Sequence, residues 1–321
     1  MSYQALSLTE FTLTYSSEAA CLNAIAQRRW PNGFVCPTCQ KVGGSRMRTR
    51  RCYQCSACGA QTSITAGTVF HQAKLPLRKW FLAIYLIASN KQGISALSLS
   101  KHIDCSRVTA WHLLHKFRKA MQDRDLFYVL KGRVCVDEAY VGGEISSSHQ
   151  SARSIEKKSP IIVAVEERGP NQTGFIHIEP SQYVDAEALH GVILEKVAAG
   201  STIRTDGFRG YSGIGSKGYH HERELSLQRK AALSQFRLVH RAIGNFNAWL
   251  KGTFRNTCQK HLDAYAAEFC WRTNRRNMTK YDYAHNAREA TLADRLITTA
   301  ANSTWWSWAD IRSSAWRTAR C

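Results

Sequence analysis

Cys36-Pro-Thr-Cys39 and Cys55-Ser-Ala-Cys58 lie fifteen residues apart, a C-x2-C-x15-C-x2-C spacing. Each C-x2-C turn points two thiolates at one ion, and two such turns complete the tetrahedron that structural zinc prefers. Cys36, Cys39, Cys55 and Cys58 are therefore the expected zinc ligands. Cys52-Tyr-Gln-Cys55 is a competing C-x2-C pair. Gly59 favours Cys55 and Cys58, because a glycine there permits the tight knuckle turn. Between the pairs, residues 46–51 have the length and alternation of a short hairpin. Eleven cysteines in a chain of 321 residues is an odd count, which argues against complete disulfide pairing.

The charge balance narrows the partner. The net charge is +20, and residues 1–125 hold seventeen basic and five acidic side chains. A folded chain with this bias meets a polyanion, and nucleic acid is the commonest one. The longest apolar run, Trp80 to Ala88, is too short to span a bilayer, and no signal peptide is read at the N-terminus. A soluble intracellular protein without a membrane partner is expected.

From Leu75 the apolar period becomes helical, with Trp80, Phe81, Ile84, Tyr85 and Ile87 on one broad face ending before Gly93. Residues 95–102 read as a second short helix. Ser106 is a good N-cap for a third from Arg107, with Val108, Trp111, Leu114, Phe117 and Met121 as its expected buried stripe. Two helices joined by a tight turn, the second opening on polar and basic residues, resemble a helix-turn-helix. Arg107, Thr109 and His112 would then face DNA.

Beyond Tyr128 the pattern turns to strands: residues 132–141, 159–165, 174–178 and 202–205, with a helix from Asp185 to Ala198 before the last of them. Strands and helices in this order predict a mixed sheet flanked by helices. Asp137 falls mid-strand between Val134, Val136 and Val141, and Asp206 falls at the end of another strand before Gly207. A carboxylate in an apolar strand is costly unless paired or metal-bound. Two carboxylates on adjacent strands would suit Mg2+, a hard ion that takes oxygen ligands.

The order of zinc ribbon, helix-turn-helix, residues 136–143 (VDEAYVGG), residues 204–207 (RTDG) and a helical C-terminal motif resembles one group of insertion-sequence transposases, the ISXO-like group. Further matches are residues 29–31 (RWP), 67–70 (GTVF) and 265–276 (YAAEFCWRTNRR), so the likeness spans roughly Phe11 to Arg276.

The resemblance implies an α+β multidomain chain. Its parts would be an N-terminal helix and zinc ribbon (1–73), a helix-turn-helix-like segment (74–126), an RNase H-like catalytic domain (127–285) and a helical Trp-rich tail (286–321). It also implies a DNA transposase that cleaves the terminal inverted repeats of its element. The freed 3′ ends would be joined to double-stranded target DNA by transesterification with two Mg2+ ions. The expected setting is a homo-oligomer on DNA, in the cytoplasm and nucleoid of a bacterium.

By the same likeness Asp137 and Asp206 are the first two catalytic residues. The third departs from the usual Glu, since no acid lies between Glu224 and Asp263. Part of the family resembles this chain in carrying Asn there, which gives Asn245 the role and Lys251 a place at a phosphate. Glu268 is the fallback acid, although Arg272 at i+4 would explain it equally as an ion pair. Arg272, Arg275 and Arg276 would grip phosphates. Trp305, Trp306, Trp308 and Trp316 would form a packing or assembly surface. Two other functions fit the same parts: a DNA-binding regulator with an inactive domain, or a metal-dependent nuclease that does not join strands.

Overall fold

A computed structural model describes residues 7–47, 50–142, 158–169, 171–224, 236–255, 257, 259–277 and 292–302. The chain divides into two compact units. One is formed by the residues up to Arg124 together with the segment from His285; the other runs from Asp125 to Ala284.

In the first unit, α1 (Leu8–Thr14) opens on a capping box in which Ser7 and Glu10 satisfy each other's backbone N–H. Ser17 caps α2 (Glu18–Arg29). A small antiparallel sheet follows, with β2 (Cys52–Cys55) between β1 (Gly44–Arg46) and β3 (Gln61–Ser63). Trp30, Phe34 and Tyr53 pack beside it, Phe34 stacking on Tyr53 at 5.0 Å.

Three helices complete the ordered core: α3 (Leu77–Ser89), α4 (Ala96–Ile103) and α5 (Arg107–Asp125). Ser95 caps α4 through the N–H of Ser98, and Ser106 accepts the N–H of Thr109 at the start of α5. Between them Asp104 takes a left-handed conformation, φ 46°, which makes the tight turn. The buried face of α5 differs from the expected stripe. Ala110, Leu113, Leu114, Phe117, Ala120 and Met121 are buried, while Val108 is 64% exposed and Trp111 half-buried. Residues 106–109, where α5 begins, are exposed, so Val108 does not join the buried face.

The second unit is built on a five-stranded mixed sheet. In chain order its strands are β4 (Arg133–Val141), β5 (Ser159–Gly169), β6 (Gln172–Pro180), β7 (Thr202–Thr205) and β8 (His220–Arg223), and they lie in the order β6-β5-β4-β7-β8. β4, β5 and β6 form an antiparallel meander, while β7 pairs parallel with both β4 and β8. The parallel step needs a crossover, which α6 (Ala186–Lys196) supplies, capped by Asp185.

Both faces are covered. Val134, Val136, Ile162 and Ala164 pack towards α6. Cys135, Val141, Ile161, Val163 and Val165 pack towards α7 (Arg237–Trp249) and α8 (Gln259–Asn277). Burial on both sides explains the continuous apolar run of β5. β8 went unrecognised in the sequence because its His-His-Glu-Arg carries no apolar alternation; it is an edge strand.

The C-terminal segment contributes α9 (Leu292–Asn302) to the first unit, where it packs on α2 and α3. Leu296, Ile297 and Ala300 are buried there, and the N–H of Val69 donates to the carbonyl of Ala300 at 3.2 Å. The four tail tryptophans lie outside the described residues.

Candidate active site and zinc module

The zinc module is assembled from two matching knuckles. The N–H of Gln40 donates to the carbonyl of Cys36, and the N–H of Gly59 to that of Cys55. Gln40 and Gly59 both have positive φ, 60° and 71°, as the tight turn requires. Cys36 Sγ lies 3.6 Å from Cys58 Sγ, and Cys39 Sγ lies 3.6 Å from Cys55 Sγ. A tetrahedral zinc with bonds of about 2.3 Å needs sulfurs roughly 3.8 Å apart, so the four cysteines fit the ion. The backbone N–H of Cys39 aimed at its sulfur holds the Cys36 thiol down at about 6, which favours the thiolate that zinc binds. Cys52 is not among the four; it is buried with its sulfur against Met47 Sδ.

The acidic site lies where β4 passes beyond the end of β7. Strand alternation sends Asp137 to the side of Cys135 and Val141, under α7. Pairing of β4 with β7 runs from Arg133–Thr202 to Cys135–Arg204, which brings Asp206 level with Asp137 just past the last strand residue. Glu138 joins them. An oxygen from each of Asp137, Glu138 and Asp206 lies within 4.8 Å of the others.

Local hydrogen bonds fix each carboxylate. The N–H of Phe208 donates to Asp206 Oδ1 at 2.9 Å, forming the turn after β7. The hydroxyl of Tyr211, in the short 3-10 turn Arg209–Tyr211, donates to Glu138 Oε2 at 2.8 Å. His240 Nε2 on α7 stands 3.1 Å from Asp137 Oδ2. Burial pushes the Asp137 carboxyl up; His240 draws it back and Asp206 raises it further. Glu138 is likewise raised by burial, against the pull of the Tyr211 hydroxyl. Half-buried Asp137 and Glu138, with exposed Asp206 beside them, are poised for a hard divalent cation, whose charge relieves their repulsion.

Beneath the site, buried Arg204 pairs with Glu167 at 2.8 Å on β5 and with Glu224 beyond β8. Arg204 thus ties β7, which leads into Asp206, across β4 to β5 on one side and to the residue after β8 on the other. Its charge is absorbed by the network.

The remaining expected residues fall elsewhere. Asn245 is exposed on α7. It lies five residues on from His240, about 140° round the helix axis. Glu268 is 2% exposed and pairs with Arg272 at 2.7 Å within α8, so it is not a ligand at this site. Arg272 and Arg275 do not reach solvent as expected of phosphate contacts. Arg275 is buried against Asp125 at 2.7 Å, with Tyr128 and Trp271 under its guanidinium.

This motif is structural. Asn274 beside them accepts from the N–H of Ile176 and donates to its carbonyl, tying α8 to edge strand β6. The side chain of Arg276 lies outside the described residues. Lys251, in the π-helical turn after α7, is exposed, as is Arg107; His112 is half-buried. Glu138 escaped the sequence reading because strand alternation assigns it to the opposite face from Asp137.

Both parts of the chain match families of known proteins. Residues 129–274 match the ISXO2-like transposase domain, and residues 16–61 match the transposase zinc-ribbon domain. A protein described as an uncharacterized protein in transposable element ISH50, from Halobacterium salinarum, is 30% identical over 214 residues, covering 62% of this chain and 70% of the relative. Likeness to solved structures is faint. The simian T-cell lymphotropic virus intasome in complex with PP2A regulatory subunit B56 gamma gives a TM-score of 0.30 at 9% identity, over 55% of this chain and 63% of the other. A pre-cleavage Mos1 transpososome gives 0.27 at 12% identity, over 68% and 76%.

A transposase domain centred on clustered carboxylates defines a polynucleotidyl transferase-type enzyme. The chain belongs to the IS1595 family of transposases. Among the described residues no helix is long and apolar enough to cross a membrane.

Proposed function

We propose that this protein binds the terminal inverted repeats of its own insertion sequence, cleaves the element ends and joins the freed 3′ ends to target DNA. The observation that carries this reading is the convergence of Asp137 and Asp206 where β4 runs parallel past the end of β7, with Glu138 beside them. Bound there, Mg2+ ions would supply Lewis acidity and a deprotonated nucleophile at neutral pH. In the joining step a 3′-oxygen forms a bond to phosphorus in the target strand, and the bond to the displaced oxygen breaks. One phosphodiester replaces another, so no nucleotide cofactor is consumed.

The chain's own residues divide the work. Asp137 and Asp206 hold the cations, and His240 orients Asp137. Lys251 and Asn245, exposed on and after α7, meet the DNA. The exposed first turn of α5, with Arg107 and Thr109, and His112 one turn further, reads the repeats. Zinc on Cys36, Cys39, Cys55 and Cys58 holds the ribbon. Two element ends each need an acidic centre, so the working form is a homo-oligomer on DNA.

A strand-transfer assay with precut donor ends and Mg2+ tests the reading. Joined products that disappear with Asp137→Ala support it. Cleavage without joining would identify a nuclease, and neither step with intact DNA binding would identify a regulator.

A further inference from the structure

We infer that Glu138 is the third metal-holding carboxylate of this site and that Tyr211 is the residue that positions it. The inference rests on the reading of Asp137 and Asp206 as the metal-binding pair, and it adds the charge that pair lacks. Asn245 cannot supply that charge, being neutral. Glu268 cannot supply it either, since its carboxylate is consumed by Arg272 in the core.

Glu138 can. It follows Asp137 on β4, beyond the stretch paired to β7, and its oxygen lies within 4.8 Å of both aspartate oxygens. In a regular strand, consecutive side chains point to opposite faces, so this convergence requires something to hold the Glu138 carboxylate beside the aspartates, past the end of β7.

Tyr211 is that hold. Its ring is fully buried among Leu189, Ile193 and Ile214 on the α6 side, leaving the hydroxyl one direction to point. That hydroxyl donates to Glu138 Oε2 at 2.8 Å, and the other carboxylate oxygen remains for a cation. Tyr211 follows Asp206 by five residues, so one loop delivers the second carboxylate and the clamp on the third. A hydrogen bond from a neutral donor fixes a ligand without cancelling its charge, as outer partners of metal ligands do.

The test is Mn2+ binding to the full-length chain by titration calorimetry, with cleavage of end DNA as a second readout. Glu138→Gln keeps the shape and can still accept from Tyr211, so the fold is retained; its melting curve without metal checks this. Glu138→Gln should weaken Mn2+ binding on the order of 100-fold. Tyr211→Phe should raise the Mn2+ concentration for half-maximal cleavage about tenfold, with the rate at saturating Mn2+ nearly unchanged.

A purely structural tyrosine would lower the melting temperature and leave that midpoint in place. Mn2+ binding by Glu138→Gln equal to wild type, while Asp137→Ala abolishes it, would overturn the role of Glu138 alone. Binding unaffected by Asp137→Ala and Asp206→Ala as well would instead remove the underlying site.

Discussion

His240 Nε2 lies 3.1 Å from Asp137 Oδ2, joining the first turns of α7 to the middle of β4. The contact makes His240 an α7 residue that orients the first carboxylate. His240→Ala should therefore lower cleavage about tenfold, the lower end for losing a ligand's outer partner. Asn245→Ala should weaken affinity for end DNA and leave the metal requirement as it is. Cleavage rates measured across a metal titration for both variants check this. A metal midpoint that moves with Asn245→Ala and not with His240→Ala would reverse the assignment.

Asp137→Ala and Asp206→Ala should abolish cleavage and joining while end-DNA binding persists, because each removes a charged ligand and neither lies on the exposed turn of α5. Gel shifts beside cleavage assays on the same preparations give the answer.

Zinc removal should unfold the ribbon. Structural zinc in small modules supplies about 10–16 kcal/mol of apparent binding free energy, more than the Trp30, Phe34 and Tyr53 cluster can replace. Cys36→Ser or a chelator should strip hydrogen-exchange protection from residues 36–58, with the sheet of the second unit still protected. Cys52→Ser should retain the metal, since its sulfur faces Met47.

Affinity for DNA should fall steeply with salt. Six phosphate contacts would give a slope near −5 in log K against log salt concentration, roughly −0.9 per contact. Arg107→Ala should reduce discrimination for the repeats. Arg272→Ala should act differently, because it strands Glu268 as an unpaired buried charge. It should cost about 3–5 kcal/mol of stability, read by denaturant melts.

The metal-free chain should lose stability as pH rises. Asp137 and Glu138 are both raised above their ordinary values of 3.8 and 4.5, so the folded state binds their protons more tightly than the unfolded one. Their favourable contribution is present below about pH 4 and is lost as pH rises through the raised values. Saturating Mg2+ should offset that loss, adding about 2.7 kcal/mol at a hundredfold excess over Kd. Melting temperatures across pH, with chelator and with Mg2+, would show the two curves diverging; parallel curves would contradict it.

By itself the sequence determined the features that live in short windows. Ligand spacing fixed Cys36, Cys39, Cys55 and Cys58, and Ser95, Ser106 and Asp185 announced their helices because capping is a matter of neighbouring residues. The strand around Asp137 and the one ending at Thr205 were legible from apolar runs. Tertiary structure decided what depends on who stands opposite. It brought Glu138 beside the two aspartates, set His240 against Asp137, and drew Arg272 and Arg275 into the core. A basic residue reads the same in sequence whether it meets a phosphate or a buried carboxylate. The difference is desolvation, and only the partner across the fold, Glu268 or Asp125, reveals it.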